Sequence, residues 1–175
     1  MKIVNCKLKI ESRPIRILGI DPGTGILGWG LIEKDSGGKI KPLKYGCVRT
    51  EANSPLPDRL LTIYNSLCDI IIKNKPDCIA IEELFFFKNQ KTVMSVAQAR
   101  GVAIISAKSN GLSVYEYTPL QIKQALTGYG RADKKQMQEM VRITCSLKEC
   151  PKPDDAADAL GVAIIHAQTA KCIEK

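Results

Sequence analysis

Histidine occurs once in these 175 residues, at position 166. Nucleophilic catalysis of the Ser–His or Cys–His kind would have to run through that one imidazole, so hydrolytic chemistry here points to carboxylates and metal instead. Cysteine occurs seven times, at 6, 47, 68, 78, 145, 150 and 172, but never as a CxxC pair. The odd number, and the placing of several in apolar runs such as "PDCIAIEE", read as small buried thiols in a reducing compartment. Only Cys145 and Cys150 are close in sequence, too few ligands for zinc. No stretch approaches the ~18 apolar residues of a membrane span. The start, "MKIVNCKLKIESRP", lacks the apolar core of a signal peptide. A cytoplasmic location with no membrane partner is expected. Phenylalanine is scarce, and all three stand in a row at 85, 86 and 87.

Positive charge, by contrast, is plentiful. Lys and Arg number 26 against 18 Asp and Glu, a formal charge of +8. That excess favours an anionic partner, nucleic acid being the commonest, although a generally basic solvated surface would give the same total. The length suits one domain with a sound core. It is expected over 15–170, with 1–14 as an N-terminal extension and 171–175 as a tail.

Periodicity supplies the elements. Val4, Cys6, Leu8 and Ile10 alternate with polar residues in strand fashion up to Pro14. "IRILGID" (15–21) is a buried strand stopped by the turn cluster "DPGTG", and "ILGWGLIEKD" and "KIKPLKYGCVRT" continue as a meander across "SGG". From Pro57 the spacing of Leu60, Ile63, Tyr64, Leu67, Ile70 and Ile71 turns helical. "DCIAIEE" (77–83) is the fourth strand, 92–111 a helix closed by Gly111, and "LSVYEYT" a fifth strand. "PLQIKQALTG", "KKQMQEMVRITCSL" and a segment from near Pro153 complete the helices, with Pro119 in a first turn. The order predicts an α/β fold: a mixed five-stranded sheet, antiparallel meander first and parallel strands after, flanked by helices.

Carboxylates stand at the element ends. Asp21 closes the first strand, Glu82 and Glu83 the fourth, and Asp154, Asp155 and Asp158 open the last helix. If the first and fourth strands are parallel neighbours, Asp21 and Glu82 reach the same carboxyl edge, where α/β sheets keep their sites. Glu82 and Glu83 must face opposite sides, so only one can look toward Asp21. Asp155 and Asp158 share a helix face, and Asp154, four residues before Asp158, is a rival. Singly, each has a structural explanation in turn preference, a solvated strand end or the helix dipole. Together they make an oxygen donor set of the kind hard divalent cations need, and without an ion they would repel. Two such metals about 3.5–4 Å apart can activate water against a phosphodiester. His166 lies eight residues past Asp158, about 12 Å along a helix, and is expected to pack there.

The blocks "ILGIDPGTGILGWGLI", "CIAIEELFFFKN", "AQARGVAI", "YTPLQIKQALTGYGRADKKQMQEMV" and "DDAADALGVAI" together resemble the RuvC family of bacterial Holliday-junction resolvases, in order from about Ile15 to His166. The resemblance implies a ribonuclease-H-like fold, a homodimer, and Mg²⁺-dependent paired nicking of four-way junction DNA in recombination and repair. Ends carrying 5′-phosphate and 3′-hydroxyl follow, from two Mg²⁺ per site for which Mn²⁺ substitutes. The family's four acidic residues fall on Asp21, Glu82, Asp155 and Asp158, leaving Asp154 and Glu83 as bystanders. Its aromatic position falls on Phe85, implying a wedge at the crossover, while Phe86 or Phe87 anchors the loop. Lys123 and Lys134 match lysines near the scissile phosphate. Lys88, Lys91, Arg131 and Lys135 are expected as lesser phosphate contacts. Tyr129, between Gly128 and Gly130, suggests a flexible loop touching DNA. The helix "VMSVAQARGVAIIS" is apolar on too much of its surface for one-sided burial; it is assigned to the dimer interface, although deep burial would give the same breadth. Association with the RuvA–RuvB branch-migration motor also follows from the family, as does a short T-containing cleavage sequence.

Two rivals share parts of the pattern. "GIDPGTG" also resembles the phosphate turn of the actin/Hsp70/sugar-kinase ATPases, but those need two lobes and a second phosphate loop. A non-catalytic or RNA-directed relative is disfavoured by the complete acidic set and Phe85. Fourteen residues precede Ile15, where the family usually begins at the first strand.

Overall fold

A computed structural model describes residues 13–84 and 90–169. The alternating stretch 4–10 and the run Phe85, Phe86, Phe87, Lys88 lie outside the described residues. So do Cys6 and Cys172.

The meander forms as expected, with β1 at Ile15–Asp21, β2 at Ile26–Lys34 and β3 at Ile40–Arg49. Helix α1 (Leu56–Asn74) follows, then β4 (Cys78–Glu82), α2 (Gln90–Ser109) and β5 (Ser113–Tyr117). Three helices complete the described chain: α3 (Pro119–Thr127), α4 (Lys134–Thr144) and α5 (Asp154–Thr169). The sheet order is β3-β2-β1-β4-β5. β1 pairs antiparallel with β2 and parallel with β4, and β4 pairs parallel with β5.

The pleat sorts the core into two layers. Leu18, Ile20, Ile79 and Ile81 point to one face, where they meet Ile63, Leu67 and Ile71 of α1 and Ala99, Ala103 and Ala107 of α2. Ile17, Cys78 and Ala80 point to the other, against α3, α4 and α5. Alternation therefore sends Asp21 and Glu82, two residues beyond Gly19 and Ala80, toward the α5 side.

Helix α5 is the middle of that second layer. From Ala156 to Ala167 only Asp158 escapes full burial, which a helix hydrophobic all round requires. It sits unusually low on the sheet. A methyl group at Gly19 would lie 2.0 Å from the Ala159 carbonyl oxygen, and one at Gly28 would lie 2.0 Å from that of Asp155. Neither backbone could stay where it is, so glycine on β1 and β2 is what lets α5 approach.

The shorter helices owe their starts to local chemistry. Thr118 and Asp133 each accept a hydrogen bond from the N–H three residues on, and Gln121 and Gln136 reciprocate, two complete capping boxes. Helix α4 stops at Thr144 rather than running on through Leu147. Ser146 takes a left-handed conformation (φ 51°), and the Leu147 N–H turns back to the Arg142 carbonyl. The Arg142 guanidinium then donates to the Leu147 carbonyl at 3.1 Å, closing the turn.

His166 packs as expected. It is buried, its Nδ1 lies 2.7 Å from the Tyr117 hydroxyl, and its ring tilts over Tyr115 at 4.2 Å. Of the five described cysteines, Cys78 and Cys145 are buried and Cys47, Cys68 and Cys150 half-buried, all as free thiols.

Candidate active site

The parallel register sets Ile20 opposite Ile81, so the next residues on each strand, Asp21 and Glu82, leave the sheet side by side. Glu83 falls on the opposite pleat, its backbone N–H donating to the Tyr117 carbonyl. On α5, Asp158 turns toward these two. A cleft of ≈ 250 Å³ opens between them, lined by Asp21, Glu82 and Asp158, by Lys123 and Lys134, and by an apolar wall including Ile122, Leu126 and Val141. Asp155 stands to the β2 side, over Gly28, outside the cleft lining but within electrostatic reach of Asp21 and Asp158.

Burial and crowding push the carboxylates away from ionisation. Asp21 is raised to about 7, by desolvation first and then by Asp158 and Asp155, with Lys134 opposing. Glu82 is raised to about 8, by desolvation and then by Asp21 and Asp158, with Lys123 opposing. Asp158 is also raised, burial outweighing its ion pair with Lys134. That lysine bridges two acids, its Nζ 3.3 Å from Asp158 and 3.4 Å from Asp154. Burial works against its charge, but the two carboxylates more than offset this and raise its pKa.

Among the described residues, no three ligand-type side chains are already drawn into a metal-sized group. The donor chemistry nevertheless fits a hard cation. Asp21, Glu82, Asp155 and Asp158 offer only carboxylate oxygens, they repel across a common space, and the cations that oppose this are two lysines, Lys134 at Asp158 and Asp21 and Lys123 at Glu82. The arrangement is an acidic cleft short of positive charge, not a closed cage.

The remaining expected residues divide. Lys123 and Lys134 line the cleft. Arg131 and Lys135 are exposed on the loop and first turn around Lys134. Lys91 lies in the first turn of α2, while Phe85 and Lys88 lie outside the described residues. Sequence reasoning missed the glycines beneath α5, although Gly28 and Gly30 on alternate positions of an apolar strand, with Gly19 paired to Gly30, are a visible signal of close approach. Asp154, weighed as a rival and set aside on the resemblance, shares Lys134 with Asp158.

Comparison with known proteins gives a consistent result. The family model for the crossover junction endodeoxyribonuclease RuvC matches residues 17–166. RuvC of Desulfitobacterium hafniense (strain DSM 10664 / DCB-2) is 54% identical over 159 residues, covering 91% of this chain and 96% of its own. The structure of Thermus thermophilus RuvC superposes with a TM-score of 0.81 at 35% identity, covering 87% of this chain and 93% of that one. The same T. thermophilus protein in complex with a Holliday junction substrate superposes with a TM-score of 0.82.

Proposed function

The chain belongs to the RuvC family of crossover junction endodeoxyribonucleases, DNA nucleases that resolve Holliday junctions, and we propose that it cuts at the acidic cleft. Asp21, Glu82, Asp155 and Asp158 are the catalytic and metal-holding residues of this reading. The observation that carries it is the convergence of Asp21, Glu82 and Asp158, from two adjacent strand ends and one helix, on one cleft with Asp155 in electrostatic reach beside it, an arrangement that leaves two of them with strongly raised pKa values. RuvC nucleases are metal-dependent, and two Mg²⁺ ions, replaceable by Mn²⁺, suit the all-oxygen donor set. When bound, such a pair supplies an activated water and offsets charge at the leaving oxygen.

The chain's own residues do the rest. Asp21 and Glu82, both strongly raised, must shed their protons to act as ligands, so they are set for a site that is filled, not bare. Lys123, beside Glu82, and Lys134, beside Asp158, can hold the scissile phosphate and balance its developing charge. Ile122, Leu126 and Val141 wall the cleft and limit water around the reacting phosphate. Arg131, Lys135, Lys88 and Lys91 serve as arm contacts, and Phe85 as the wedge that opens pairs at the crossover. The products carry 5′-phosphate and 3′-hydroxyl ends.

One chain has one such cleft, whereas resolution needs two symmetric cuts, so a twofold homodimer is part of the proposal. Met94, Gln98 and Ile105 lie exposed on one face of α2, with Gly101 open between them. That face suits a second copy. Association with the RuvA–RuvB motor and a cytoplasmic location complete the reading; among the described residues no helix is long and apolar enough to cross a membrane.

The test is a labelled immobile four-way junction beside matched linear duplex, with Mg²⁺ or EDTA. Paired nicks in the junction alone are expected, abolished by EDTA and reduced about 100- to 1,000-fold, the scale on which transition-state charge stabilisation acts, in Asp21→Asn and Glu82→Gln. Junction binding without cleavage under every metal condition would overturn the catalytic assignment.

A further inference from the structure

Tyr129 is 57% exposed, more than any other aromatic side chain among the described residues, yet its backbone is tied down. The preceding Gly128 caps α3 in a left-handed conformation (φ 70°), its N–H donating to the Gln124 carbonyl. The Tyr129 N–H donates to the Thr127 hydroxyl at 3.1 Å. That hydroxyl stands 2.8 Å from both the Tyr129 and Lys123 carbonyls and serves one of them. The Ala132 N–H also donates to the Tyr129 carbonyl at 3.3 Å, and Ala132 is itself buried. The loop backbone is therefore tied by hydrogen bonds on both sides of Tyr129, despite its two glycines. Leu120, exposed as well, lies against Gly130 at its base. Among the described residues no side chain partners the ring or the hydroxyl of Tyr129.

Two exposed cations, Arg131 and Lys135, stand on the same stretch, and the adjoining acidic cleft carries Lys123 beside a Lys134 that is paired with Asp154 and Asp158. The one acid nearby in sequence, Asp133, is engaged in capping α4. A bare aromatic face on a hydrogen-bonded backbone beside exposed cations suits a flat, uncharged group attached to a polyanion, which is a nucleobase. We propose that Tyr129 is a base-stacking residue, receiving the face of an unpaired base on the strand that passes Lys123 and Lys134. This rests on the nuclease reading above and adds a second aromatic contact, from the α3–α4 side of the cleft. Stacking needs no rearrangement of the loop, so binding does not have to order it.

The test measures binding of wild type, Tyr129→Phe, Tyr129→Leu and Tyr129→Ala to junction and duplex in EDTA, with melting temperatures in parallel. A 2-aminopurine is walked through the bases around the crossover. Phe is expected to hold junction affinity within about twofold. Leu and Ala should lose roughly 5- to 150-fold, the range for one stacked base, at unchanged duplex affinity, salt slope and melting temperature. Quenching of one 2-aminopurine by wild type should disappear in Ala. Unchanged affinity in Ala, full affinity in Leu, or a loss that follows a lowered melting temperature would each overturn the proposal. A wild type that neither prefers nor cuts junctions would instead remove the nuclease reading, and the stacking role with it.

Discussion

Asp21 and Glu82 occupy places where a carboxyl group is easier to bury neutral than charged. In an unfolded chain both titrate near 4; folded, they do so at about 7 and about 8. Between those limits the native state holds more protons than the unfolded one, so metal-free stability falls as pH rises. The contribution is complete below about pH 4 and lost as pH passes 7 to 8. In EDTA, melting temperature is expected to decline across that window, and Asp21→Asn or Glu82→Gln to melt above wild type at pH 8. Scanning calorimetry at several pH values checks this, and a flat or rising wild-type profile would contradict it. That Asp21 and one of Glu82 and Glu83 reach this edge could be read from the chain, since each ends an apolar strand; the choice of Glu82 came from the family resemblance. The displaced pKa values could not be read there, because the burial comes from a helix more than seventy residues away in sequence.

At the scale of elements, what positions the site is the contact of α5 with β1 and β2. Gly28→Ala would put a methyl group 2.0 Å from the Asp155 carbonyl, and overpacking of this kind costs about 1–3 kcal/mol. The helix start must move, and a shift near 1 Å in a catalytic group can cost ~100-fold. The expected variant melts lower and cleaves at least 100-fold more slowly, while binding the junction within about threefold of wild type. Parallel cleavage and binding assays below the melting temperature decide it, and retained cleavage would show that α5 can be lifted without consequence. Periodicity announced the strands and helices almost to the residue, because burial of one face dictates spacing. The glycines went unread because a missing side chain has meaning only once its neighbour is known. The early stop of α4 likewise depended on Arg142 meeting the Leu147 carbonyl, a contact no spacing rule contains.

For the whole molecule, the proposed dimer makes the exposed face of α2 the feature that decides whether cuts come in pairs. Met94→Lys with Ile105→Glu is expected to yield monomers by sedimentation at micromolar concentration, with the fold kept since both side chains are exposed. Such monomers should give unpaired nicks at a strongly reduced rate, read from strand-resolved products. A variant that remains dimeric would move the interface elsewhere. The four carboxylates also have an order in time. Asp21 and Glu82 come early in the chain, but α5, the last described element, brings both Asp155 and Asp158 and fills the layer between the sheet and α3 and α4. Chains leave the ribosome N-terminus first. Until α5 has been made and seated, the nascent chain has half its acidic set and no second core layer. On the proposed site, cutting competence therefore waits for α5, and a chain interrupted before it is expected to be inert rather than a loosely controlled nuclease.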